Sequence, residues 1–182
     1  GSILVDSFEN LHKEAVKNRK EIKSIIEKSE MIISDIRVNI EACKNNFDEL
    51  KLLYSFPLNH SEQQILKCET MLGKSKVFLE SKDPYEFRNM INNIQGELKS
   101  IRKSFEVIPH LYKQLKESIP VNVESSINEL LLEVGPKNKL KTELNDLKNN
   151  ALINLSKGEL KESEELVSMI FERLNHLKAS LK

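Results

Sequence analysis

One pattern limits what this chain can fold into more than any other: Phe87, Ile91, Ile94, Leu98, Ile101, Phe105, Ile108, Tyr112, Leu115 and Ile119 follow one another at intervals of three and four. That spacing lays every apolar side chain on one face of a helix, and no strand can use it. The same intervals recur almost throughout. From Phe8 they run through Leu11, Ala15, Ile22, Ile25, Ile32, Ile36, Ile40, Cys43, Phe47 and Leu50, with skipped positions near Asn18 and Ser29. This predicts one helix over about residues 5 to 54, which at ~1.5 Å per residue would extend about 75 Å.

Breakers and caps divide the rest. Pro57 in "SFPLNHSEQ" cannot continue a helix, and Ser61 before Glu62 and Gln63 can cap the next one. Ile65, Cys68, Leu72 and Leu79 predict a second helix to about Glu80. In "ESKDPYEF", Asp83 is placed to act as N-cap with Pro84 in the first helical turn. The third helix carries Pro109, which costs a hydrogen bond and crowds the carbonyl four residues earlier. Its stripe keeps phase on both sides, so a kinked or briefly interrupted helix at Pro109 and a stop at Pro120 are expected. Val123, Ile127, Leu130 and Val134 then predict a fourth helix ended by Gly135-Pro136. Leu140, Leu144, Leu147, Ala151 and Leu155 predict a fifth. After Lys157-Gly158, Leu160, Val167, Ile170, Leu174, Leu177 and Leu181 predict a sixth.

The pattern repeats. A shift of 76 residues sets Leu79 on Leu155, Lys82 on Gly158, Ile91 on Val167, Ile94 on Ile170, Leu98 on Leu174, Ile101 on Leu177 and Phe105 on Leu181. A helical hairpin that recurs with its turn in register implies an all-α chain of elongated tandem antiparallel three-helix bundles. The expected division is 1–2 as a cleavage scar, 3–108 as a first unit with a long first helix, and 109–182 as a second unit.

Composition agrees and narrows the functional classes. Charged residues make up 31% of the chain, aromatic residues 5%, and there are five Gly and five Pro, which suits long solvated helices. Lys and Arg total 28, as do Asp and Glu, so no net field draws in nucleic acid or an anionic membrane. The basic runs "KNRKEIK" (17 to 23) and "KNKLKTELNDLK" (137 to 148) are interleaved with acids and read as paired helix surface. No apolar run reaches the ~18 residues of a membrane-spanning helix.

No chemistry-bearing cluster stands out, so no catalytic residue, metal ligand, cofactor or small-molecule substrate is expected. His12, His60, His110 and His176 are scattered. Glu9 and His12 form one ExxH, whereas a di-iron bundle needs two, with further inward carboxylates. Glu172 and His176 read as a surface pair one turn apart. Cys43 and Cys68 sit on apolar stripes without metal-ligand spacing and read as core fillers. The glycines form no phosphate-binding loop, and Gly73 and Gly96 fall inside helices, where each could permit a close helix approach or a bend.

"IPHLYKQLKESIP", followed by a short amphipathic piece, "LKTELNDL", a hairpin turn and "LVSMIFERLNHL", resembles the repeat pattern of the EzrA family, septation ring regulators of low-GC Gram-positive bacteria. In that pattern an Ile-Pro, a Leu two residues on and a second proline about eleven residues later mark the joint between repeats. Here these are Ile108, Pro109, Leu111 and Pro120. The resemblance covers about residues 60 to 182. A Lys-to-Arg ratio of 23 to 5 and 17 Asn fit an AT-rich genome. The resemblance implies spectrin-like repeats in a cytoplasmic rod, anchored in the family by an N-terminal transmembrane helix, that acts on the tubulin-like FtsZ ring and its associated proteins. The family's C-terminal QNR patch has no counterpart here, so no partner-binding residue is carried over. The same seams would equally build another protein-binding rod, such as a surface-exposed coiled-coil region or a cytoskeletal linker.

Overall fold

A computed structural model describes residues 2–130 and 137–180, and every element in it is helical. The elements are α1 (Ser2–Tyr54), α2 (Asn59–Glu80), α3 (Pro84–Lys113), a π-helical turn (Gln114–Ser118), α4 (Ile119–Leu130), α5 (Lys137–Lys157) and α6 (Leu160–Ser180). Val134, the Gly135-Pro136 stop and Leu181 lie outside the described residues, as does the side chain of Leu130.

Two compact units result, each described by itself. The first comprises 1–43 and 65–99, the second 44–64 and 100–182. The division on α3 thus falls after Lys99, where the sequence pattern places the joint at Pro109. In the first unit Ile36, Ile40 and Cys43 of α1, Cys68 and Leu72 of α2, and Phe87, Ile91, Ile94 and Leu98 of α3 are all buried. In the second, α5 and α6 pack on each other and α4 packs on both. Leu144, Ala151, Leu155, Ile170 and Leu174 form that core.

The two hairpin turns have the same hydrogen bonds. At the α2–α3 turn Lys82 takes the left-handed conformation (φ 58°); its N–H donates to Leu79 O and that of Asp83 to Phe78 O, at 3.1 and 2.8 Å. At the α5–α6 turn Gly158 is left-handed (φ 83°); its N–H donates to Leu155 O and that of Glu159 to Asn154 O, at 3.0 and 2.9 Å. Both are Schellman motifs, which satisfy carbonyls that a helix end would otherwise leave unpaired. The next helix starts alike in each: Phe87 N–H donates to Asp83 O and Ser163 N–H to Glu159 O, both at 3.1 Å. Every one of these atoms is matched across the 76-residue shift. Asp83 also caps α3 as its sequence position predicts, accepting from Glu86 N–H at Oδ1 (3.2 Å).

The stop at Pro120 and the place of Tyr112 on the stripe are corrected between Ile108 and Ile127. Pro109 lies within α3, which continues through it as the stripe predicts, whereas the expected stop at Pro120 is absent: Pro120 is the second residue of α4. The disturbance is the π turn just before Pro120, closed by Ile119 N–H donating to Gln114 O. A proline conflicts with the α-helical carbonyl four residues back; the wider turn removes that α-type bonding where Pro120 would meet it. The stripe changes with it. Leu111, not Tyr112, is buried, and the buried positions then advance by fours through Leu115, Ile119, Val123 and Ile127. Fours lead a 3.6-residue helix, and one wide turn restores them to the core side.

The α1–α2 connection also departs from expectation. Ser61 does not cap α2, which begins two residues earlier at Asn59, with Leu58 O accepting from Glu62 N–H (3.0 Å). Leu58 decides this: its side chain is fully buried and its N–H donates to Ser156 O at 2.8 Å. Holding a leucine at φ 48° costs about 1–2 kcal/mol, and burying it returns about 1.5–3 kcal/mol. Ser61 is consequently buried inside the helix, directly beneath Gly158.

Gly73 and Gly96 do not mark close helix approaches, since a Cβ built on either meets nothing within 4 Å. Gly73→Ala and Gly96→Ala are each expected to stabilise the chain by about 0.5–1 kcal/mol, read as a rise in urea midpoint at constant slope.

Candidate functional site

The residues singled out in the sequence do not converge. Ile108 and Leu111 are buried parts of the seam, Pro109 is exposed on α3, and Pro120 is half-buried on α4. Glu9 and His12 stand exposed near the start of α1, and Glu172 and His176 are exposed on α6. His60 and His110 are exposed as well. Among the described residues no group of three or more His, Cys, Asp or Glu could hold a metal ion, and no helix is long and apolar enough to cross a membrane.

Cys43 and Cys68 are free thiols buried at 2% and 0% exposure, in the places of seam hydrophobes. Burial is the main cause that pushes the Cys68 thiol up to about 11, helped by the negative charge of Glu97. A thiol so placed is a poor nucleophile. A thiol reagent at pH 8 should therefore modify Cys68 only at the rate at which the first unit opens. The pH dependence follows from the sign of the shift. A raised pKa favours the folded state while the thiol is protonated, so this contribution is complete below the unfolded pKa near 9 and is lost as pH rises towards 11. Urea midpoints measured from pH 8 to 11 should fall across that window.

The polar arrangement that the sequence reading missed is a pair of matched ion pairs. Lys67 Nζ donates to Glu97 Oε1 at 2.8 Å across the α2–α3 hairpin, and Arg173 donates to Glu143 Oε2 at 2.8 Å across α5–α6. The shift of 76 carries Lys67 onto Glu143 and Glu97 onto Arg173. The positions are conserved between the hairpins and the charges are exchanged. Comparing polar as well as apolar positions at that shift would have found them. Glu97 raises the Lys67 ammonium above its ordinary pKa. All four side chains are at least partly exposed, so solvent screening leaves each pair little weight in stability.

Concavities accompany these features among the described residues. A groove of about 620 Å³ lies between α1 and α3 in the first unit, with Ile25, Ile32, Phe87 and Ile91 on its walls and Lys20, Glu21 and Arg88 at its rim. A second, of about 520 Å³, lies along α4, with Val121, Glu124 and Asn128 among its described lining residues. In the second unit Tyr54, Phe56 and Tyr112 form an aromatic cluster, with ring centroids 4.7 to 5.8 Å apart.

The beginning of α1 is the largest departure from its predicted environment. Phe8 and Leu11, expected on the seam, are 70% and 62% exposed, and Ile3, Leu4 and Val5 are exposed too. Glu21 Oε2 of α1 lies 3.8 Å from Arg88 of α3, and the first buried α1 residue is Ser29. The helix therefore presents an apolar face for several turns before it meets the hairpin.

No protein-family profile, curated protein or solved structure matches the chain.

Proposed function

We propose that this chain is a non-enzymatic helical scaffold that binds protein partners, and that it works as an EzrA-like regulator of FtsZ ring assembly in cell division. The observation that carries the scaffold reading is the hairpin repeat, with turns and ion pairs in corresponding places. Its sequence is invested in apolar seams and charged outer faces, the makeup of repeat proteins that present binding surfaces. The division-ring assignment rests on the "IPHLYKQLKESIP" punctuation and the hairpin that follows it. In this reading the units are spectrin-like and stacked in tandem, the chain is cytoplasmic, and any membrane anchor belongs to a longer protein.

The test is recovery of FtsZ by the immobilised chain from a Gram-positive lysate, repeated with purified FtsZ and with unrelated helical rods as controls. Enrichment of FtsZ over those controls is expected. Capture at the level of the controls would overturn the division assignment and favour another protein-binding rod, such as a surface-exposed or cytoskeletal linker module. Small-angle scattering tests the tandem arrangement separately, because a particle as compact as a sphere of this mass would exclude it.

A further inference from the structure

We propose that the apolar stripe at the start of α1 is an unfilled hairpin seam, and that its occupant is an antiparallel amphipathic helix of another protein carrying a Lys or Arg opposite Glu21. The inference rests on the protein-binding reading above and names the face and the partner's chemistry. Three observations support it.

The first is what covers the corresponding stripe elsewhere in the chain. Shifted by 76, Leu11 falls on Phe87, Ala15 on Ile91, Ile22 on Leu98 and Ile25 on Ile101. In α3 those four positions are at most 6% exposed, on the helix that pairs with α2. In α1 Leu11 and Ala15 are exposed and Ile22 and Ile25 half-buried. The spacing is that of a hairpin seam, and no antiparallel helix among the described residues occupies it.

The second is continuity. The exposed stripe runs along α1 into the buried positions Ile36, Ile40, Cys43, Phe47 and Leu50. Where exposed becomes buried, the 620 Å³ groove opens between α1 and α3, with Ile25 and Phe87 facing into it. An incoming helix would lie along α1 and begin in this groove. Lys82 stands where the other hairpin has Gly158, so that helix must begin farther from the turn than α2 does from the α5–α6 turn.

The third is charge. The residue just before the seam position Leu98 is Glu97, paired with Lys67; just before Leu174 it is Arg173, paired with Glu143. Just before Ile22 it is Glu21. By the same placement a helix on this seam sets a cation against Glu21, as α2 does against Glu97. Arg88 lies 3.8 Å from Glu21, and both side chains are about half exposed, which leaves room for a closer cation. A second copy of α1 fits less well. Antiparallel pairing about Ala15 would set the seam residue Leu11 against Arg19 and Glu14 against Val16.

The probe is a labelled peptide of residues 59–80, which carries Lys67 in the required place, titrated with the full chain by fluorescence anisotropy. Saturable binding is expected, with Leu11→Asp in the protein abolishing it; Leu11 is exposed, so the variant should keep its far-UV CD spectrum and urea midpoint. Lys67→Glu in the peptide should weaken binding about fivefold, from one lost attraction and one gained repulsion. Glu21→Lys in the protein should reverse that preference. Displacement of the resident α2 would instead depend on Glu97 and ignore Leu11 and Glu21, so binding insensitive to Leu11→Asp overturns the proposal, as does the absence of binding. A preference unchanged by Glu21→Lys removes the cation assignment. A dimer in sedimentation that Leu11→Asp disperses makes a second copy the occupant and overturns it too. FtsZ capture is a separate readout, so its failure would leave these results standing.

Discussion

Leu98→Asp is expected to unfold the first unit. Leu98 is 3% exposed at the centre of the α3 seam, and replacing it removes a buried side chain worth about 2–5 kcal/mol and puts a carboxylate among apolar groups. Together these exceed about 4 kcal/mol, much of the 5–15 kcal/mol that a domain has to lose. Loss of the urea transition belonging to the first unit, with Lys99→Asp on the adjacent exposed position behaving as the parent, would confirm it. A soluble Leu98→Asp variant with an unchanged cooperative transition would defeat the seam assignment. Leu174→Asp, the repeat-related substitution at 2% exposure, should do the same to the second unit.

Gly158→Ala should be the most damaging single-methyl change. At φ 83° an alanine costs about 1–2 kcal/mol in backbone energy alone. The added methyl also runs into Ser61 Oγ and comes within 3.3 Å of Ser61 N, which belongs to the backbone of α2 and cannot turn aside. A total loss of about 2–4 kcal/mol is expected in urea unfolding. Adding Ser61→Gly should recover part of the collision and none of the backbone cost. If Gly158→Ala were neutral, the docking of α2's first turn on the α5–α6 turn would be wrong.

The parts of this fold that could be read from the sequence are those governed by local chemistry. Intervals of three and four located each seam, Pro57 located the break after α1, and Asp83-Pro84 gave a cap that the structure reproduces at 3.2 Å. The 76-residue shift found the hairpins and placed Lys82 on Gly158. What escaped depends on neighbours distant in sequence. Ser61 has the composition of a cap, but Leu58 anchors the chain on Ser156 and starts the helix sooner. Tyr112 fits the spacing as well as Leu111 does until the π turn changes the phase. Phe8 and Leu11 show that periodicity reveals an apolar face without revealing whether anything covers it. The reversed ion pairs were legible in principle, because both ends of each pair obey the repeat.

The π turn at Gln114–Ser118 is in effect a one-residue insertion that the helix has absorbed without breaking. Each residue of an α-helix turns the chain by about 100°. If this segment kept all five residues but closed as ordinary α-helix, Ile119, Val123 and Ile127 would swing together by about that angle, out of the core they now fill, whereas deleting one of the five along with the wide turn would leave them in place. Segment length and wide turn are therefore coupled: a relative of this chain would have to keep both or lose both together.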